Sequence, residues 1–138
     1  VMLLFVGREV ERALGSALYV AAYLISIVGS SAAVLWMDFG TPTVGASGAL
    51  FALMGLLIGV YRSRGLDLRA PIVLVVANVI YSFVAENVSV WGHLGGLLTG
   101  LLLAPFLFRK RTWLRWLGIW IIGVIAAVAA ALRAGLWG

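Results

Sequence analysis

The 138 residues are 64% apolar and 11% charged, with a formal net charge of +5 and no cysteine. A soluble domain averages roughly 45–50% apolar and about 25% charged, so this chain lacks the polar side chains to cover a water-facing surface, which excludes an ordinary soluble domain and a disordered tail. Without Cys there is no disulfide framework and no cysteine metal site, and the basic residues sit in gaps between apolar runs rather than on one solvated face, as nucleic-acid binding would require.

A helix crosses a hydrocarbon core of about 30 Å with about 20 mainly apolar residues. Residues 1–6 are apolar but too few to span, and they read as the tail of a helix that begins before Val1. The first full uncharged run, 13–37, follows Glu11 and Arg12 and ends at Asp38. A second, 39–61, stops at Arg62 and Arg64; a third covers 70–85 and stops at Glu86. A fourth, 87–108, ends in Arg109, Lys110 and Arg111, and a fifth, 116–132, follows Arg115. The pattern predicts an all-α bundle of transmembrane helices, with no cleavable signal sequence at the front.

The connections alternate in charge. Arg8, Arg12, Arg62, Arg64, Arg69, Arg109, Lys110, Arg111 and Arg115 fall on one side, leaving Arg133 alone on the other with Asp38 and Glu86. The excess of Lys and Arg in cytoplasmic loops makes the basic side cytoplasmic and the acidic side extracytoplasmic.

Most polar residues within the runs are small hydroxyls, which cost little to bury. His93 is expensive there, and an ionisable residue within a span is a functional candidate. Ser47 stands 15 residues before Arg62 and His93 stands 16 before Arg109. At ~1.5 Å per residue both lie about 22–24 Å above the basic belt, at one depth on helices that run the same way. Gly96 and Gly100 follow His93 at i+3 and i+7, and Gly48, Ala52, Gly55 and Gly59 form a small-residue stripe beside Ser47. Such residues let transmembrane helices approach closely, and closeness is what a serine Oγ and an imidazole nitrogen need to share a proton. Each residue alone has a blander reading: Ser47 as packing beside glycine, His93 as a satisfied buried imidazole. The Gly45-Ala46-Ser47-Gly48 turn is not the nucleophile elbow of soluble hydrolases, which places a residue between Ser and the second Gly.

Together these residues resemble the rhomboid intramembrane serine proteases, over nearly all of 1–108. Gly45-Ala46-Ser47-Gly48 resembles the family's Gly-x-Ser-Gly at the top of its fourth span. Gly92-His93-Leu94-Gly95-Gly96 with Gly100 resembles the sixth-span pattern, and Gly7, Glu11 and Gly15 resemble the Gly-x-x-x-Glu-x-x-x-Gly that closes the second. The resemblance implies that 1–108 carries the greater part of a six-helix core, followed by a basic cytoplasmic loop at 109–115 and an extra helix at 116–132. It also implies that the first helix and the start of the second, with a His and an Asn that complete the oxyanion site, precede Val1. Losing one oxyanion donor costs about 10²–10³ in kcat, so the chain alone is expected to be a weak or inactive enzyme.

The implied chemistry is a dyad, with Ser47 as nucleophile and His93 as general base and then acid. The backbone at Ser47 and Gly45 would take the oxyanion, Phe51 would pack on the imidazole, and Gly48, Gly96 and Gly100 would support the pair. Asn87, Ser89 and Trp91 would border a water-filled cavity, and Tyr81, Phe83 and Val84 a lateral gate. The implied partners are transmembrane protein substrates with small residues at the cut, in a lipid bilayer, with no nucleic acid, metal or cofactor. The implied location is multi-pass, in a bacterial cell membrane, with the site facing outward. Two other readings stand beside it: an inactive rhomboid-like protein that binds membrane clients, and a small channel subunit in which His93 relays protons. The first usually lacks the Ser or His, and the second usually shows paired acids or broken helices at the midplane.

Overall fold

The computed structural model describes residues 2–37, 45–85 and 89–135. These form six helices and no strand: α1 (Met2–Leu14), α2 (Ser16–Met37), α3 (Gly45–Ser63), α4 (Arg69–Val84), α5 (Val90–Leu107) and α6 (Thr112–Arg133). Asp38, Glu86 and Asn87 lie outside the described residues. Helices α2, α5 and α6 are long and apolar enough to cross a membrane, and α4 is a shorter apolar helix.

Two boundaries differ from the charge-to-charge reading. Helix α1 continues through Arg8, Glu9, Glu11 and Arg12 to Leu14, because charges at the end of a span can stand in the interface without ending the helix. What ends it is Gly15, in the left-handed region at φ 84°, where its N–H closes onto the Glu11 carbonyl at 2.7 Å. The second boundary is at the other end of the chain. Of the basic stretch 109–115, residues 112–115 already form the first turn of α6, leaving a tight connection after Leu107.

The Gly7, Glu11, Gly15 motif thereby acquires a structural meaning. Gly7 leaves room for the Tyr19 hydroxyl, 2.7 Å from where a Cβ would stand, and the Ser16 hydroxyl donates to the Glu11 carboxylate at 3.4 Å. Together they set the sharp turn between α1 and α2. Nothing crowds the Cβ position of Gly15, so Gly15→Ala would carry backbone strain alone, about 1–2 kcal/mol. The expected result is a fall of a few degrees in the unfolding temperature in detergent.

Helix α3 is the centre of the bundle. Residues 51–57 are buried without interruption, as expected for a helix apolar all round, and α1, α2, α4 and α5 all pack on it. Helix α6 packs against α2 and α5, adding Ile119 and Ile122 to the buried core. Its Trp120, Val124, Ile125 and Val128 are exposed, a surface that suits lipid tails. Arg64, just past α3, pairs with Glu9 of α1 at 3.7 Å, so the basic ends of α1 and α3 lie together. At the opposite end Arg133 donates from Nε to the Leu35 carbonyl at 2.9 Å, and Trp36 donates to the Ala129 carbonyl at 2.7 Å. The one basic residue on the acidic side therefore serves a carbonyl in the last turn of α2, a group with no partner within its own helix.

Candidate active site

The stripe beside Ser47 and the glycines after His93 are the contact between α3 and α5, the most extensive in the molecule. A Cβ on Gly96 would overlap the Gly48 carbonyl, and one on Gly100 would overlap the Ala52 carbonyl. Further along, the Cβ position of Gly55 is 3.2 Å from the Leu97 carbonyl oxygen, and that of Gly59 is 3.2 Å from the Ala104 Cβ. The pairs advance in the same direction on both helices, so α3 and α5 run parallel with backbones in contact. Gly95 faces elsewhere, with its Cβ position against Ala33 of α2.

This contact sets the histidine. His93 lies in the first turn of α5, 8% exposed. Its ring is stacked on Phe51 with centroids 4.2 Å apart and planes 18° from parallel. Phe51 follows Ser47 by four residues, one turn along the same face of α3, so the imidazole rests on the stripe to which Ser47 belongs. Ser47 is the third residue of α3 and is solvent-exposed. The backbone N–H groups of Gly45 and Ser47 belong to the first turn of α3, the positive end of the helix dipole.

Two hydroxyls treated above as inexpensive filler prove to hold the site. The Ser82 Oγ of α4 lies 2.6 Å from His93 Nδ1. The Ser30 Oγ of α2 donates to the Gly92 carbonyl at 2.8 Å, tying the turn that carries His93 to the helix behind it. Spacing offered little to find either. Ser30 is far away in sequence, and the Ser82 contact depends on how α4 packs against α5. Ser30→Ala is expected to lower stability by about 1 kcal/mol, readable as a modest shift in thermal unfolding, with the bundle otherwise intact.

Of the residues assigned to a cavity rim, Ser89 caps α5, its Oγ accepting the Gly92 N–H at 3.0 Å, and Trp91 is exposed. Asn87 lies outside the described residues. Tyr81, Phe83 and Val84, assigned to a gate, are all strongly exposed at the end of α4. Among the described residues no three of His, Cys, Asp and Glu come together as a metal-binding group.

The bundle and its site define a polytopic helical membrane protein with an imidazole held beside a serine-bearing helix start. The family model described as "Rhomboid domain" matches residues 1–110. Over 108 residues the chain is 37% identical to rhomboid protease GluP of Bacillus subtilis, covering 74% of this chain and 21% of that protein. It is 30% identical over 117 residues to RHOMBOID-like protein 1 of Arabidopsis thaliana, covering 79% and 30%. It is also 33% identical over 107 residues to the putative rhomboid protease YdcA of B. subtilis, covering 73% and 54%. No solved structure matches. The chain belongs to the rhomboid family and is an integral, multi-pass membrane protein. It spans only about a fifth to a half of the length of these relatives.

Proposed function

We propose that this chain carries the catalytic core of an intramembrane serine endopeptidase, with the core in 1–108 and α6 added to it. Ser47 Oγ attacks the scissile carbonyl of a transmembrane substrate while His93 takes the hydroxyl proton. The oxyanion is met by the N–H groups at the start of α3, at Ser47 and Gly45. The imidazolium then gives that proton to the leaving amine as the C–N bond breaks. The acyl-enzyme is hydrolysed by a water that His93 deprotonates, releasing a carboxylate and restoring Ser47. The excess of basic residues at the far end of the bundle supports a site facing the extracytoplasmic side. A substrate helix must unwind locally to present a carbonyl, which favours small, helix-weakening residues at the cut, and the exposed end of α4 is the proposed entry side.

The observation that carries this reading is the stacking of His93 on Phe51, one turn from Ser47. The stack places the imidazole over the same face of α3, one turn along from Ser47. The names of the relatives, two of them rhomboid proteases, point the same way. The test is cleavage, in liposomes, of a single-span protein with a Gly/Ala-rich outer third, by protein expressed from its complete reading frame. Cleavage in the outer third that is lost in Ser47→Ala is the expected result. Equal cleavage by both proteins, or none by either, would overturn the reading.

A further inference from the structure

We propose that Ser82 is a positioning residue for His93: it holds the neutral imidazole in the tautomer protonated on Nδ1, leaving Nε2 as the basic nitrogen for Ser47. This rests on the dyad reading above. The argument is a proton count. The Ser82 hydroxyl has one hydrogen, and it donates that hydrogen to the Asn78 carbonyl of its own helix at 2.9 Å, a common bond for a serine within a helix. Its Oγ then has only lone pairs to offer His93 Nδ1, 2.6 Å away. Two acceptors at that separation would repel, so Nδ1 carries the proton. The opposite assignment, with the hydroxyl donating to Nδ1, would leave Oγ and the Asn78 carbonyl facing each other as two acceptors within hydrogen-bond distance. Only the Nδ1–H form satisfies both contacts.

The surroundings restrict the alternatives further. Ser82 is 3% exposed and His93 8%, so water does not readily replace either partner. Asn78 is itself anchored, donating from Nδ2 to the Leu74 carbonyl at 2.7 Å, and the Phe51 stack fixes the plane of the imidazole. A bond to one ring nitrogen decides which nitrogen is free to act. In a Ser-His-Asp triad a carboxylate does this, and with the wrong tautomer the histidine cannot serve as base. The described carboxylates Glu9, Glu11 and Asp67 lie on the basic side of the bundle, and here a neutral hydroxyl occupies the place beside Nδ1. It also accepts more strongly from Nδ1–H once His93 becomes imidazolium. A hydroxyl brings no charge, so the effect is smaller than that of a carboxylate, about 10- to 100-fold on rate.

The test is two-bond ¹H–¹⁵N NMR on protein expressed from its complete reading frame, labelled with ¹⁵N-histidine and placed in nanodiscs. His93 is identified by the resonances lost in His93→Gln, and the rate of fluorophosphonate labelling is measured alongside. Neutral His93 is expected as the Nδ1–H tautomer. Ser82→Ala is expected to shift it toward Nε2–H and to slow labelling about 10- to 100-fold. Ser82→Thr, which keeps the hydroxyl on the same carbon, is expected to restore both. An Nε2–H tautomer in the parent overturns the proposal, and so does a folded Ser82→Ala that keeps both tautomer and rate. The parent spectrum decides the tautomer by itself, whether or not Ser82→Ala folds. An Nδ1–H tautomer in a folded parent that takes no probe would overturn the protease reading, and Ser82's role with it, while leaving the hydrogen bond in place.

Discussion

Replacing His93 by Gln is expected to slow fluorophosphonate labelling of Ser47 by about 10²–10⁴-fold, the usual contribution of a positioned general base. A serine hydroxyl is a poor nucleophile until a base takes its proton, and Ser47 lies on the face of α3 over which the His93 ring is stacked. Gln is close to His in volume and polar, so it can fill the space over Phe51 and meet the Ser82 hydroxyl. It has no nitrogen basic enough to accept the proton of Ser47. The same protein should therefore melt close to the parent while losing its reactivity. His93→Ala should lose reactivity to the same extent, with an added loss of stability from the emptied space over Phe51 and from the stack itself, the latter about 1 kcal/mol. Equal labelling of parent and His93→Gln would remove His93 from the chemistry.

The second large effect is expected at Gly96. Its Cβ position is occupied by the Gly48 carbonyl, which is backbone and cannot rotate aside. Gly96→Ala must push α3 and α5 apart or tilt one against the other. Overpacking of this kind costs about 1–3 kcal/mol and sometimes more. The functional loss should exceed the loss in stability, because Ser47 and His93 are carried by the two helices being separated, and a misplacement of about 1 Å costs about 10²-fold in rate. Gly123→Ala is the matched control. The atom nearest its Cβ position is the flexible tip of Ile25 of α2 at 3.0 Å, a side chain that can turn aside where a backbone carbonyl cannot, and thermal unfolding and labelling should both stay near the parent's. A Gly96→Ala protein as stable and as reactive as Gly123→Ala would contradict the close α3–α5 contact.

Much of this architecture was legible in the sequence because lipid imposes simple rules. Uninterrupted apolar runs located the helices, and glycine spacing identified the faces of α3 and α5 that touch, since only residues without side chains permit backbone contact. The aromatic four residues after Ser47 was expected on the imidazole, and Phe51 is there. The misplaced boundaries share one cause. Charged residues were taken as the ends of helices, whereas Arg8 to Arg12 and Arg115 lie on helical turns that extend beyond the apolar runs, and a positive-φ glycine makes the actual break at residue 15. Ser30 and Ser82 escaped for a different reason. A serine in a span satisfies itself by bonding back to its own helix, so its type and spacing carry no sign of a second partner. Only the packing of α2 and α4 against the start of α5 reveals that these two hydroxyls reach the segment carrying His93.

The central claim, an activated serine at position 47, is tested most directly by labelling the protein expressed from its complete reading frame with a fluorophosphonate in a native-like bilayer and mapping the adduct by mass spectrometry. A single adduct on Ser47, absent from Ser47→Ala and strongly reduced in His93→Gln, is the predicted result. A folded protein that takes no label, or takes it on another serine, would contradict the dyad and make a membrane-client-binding role the better account.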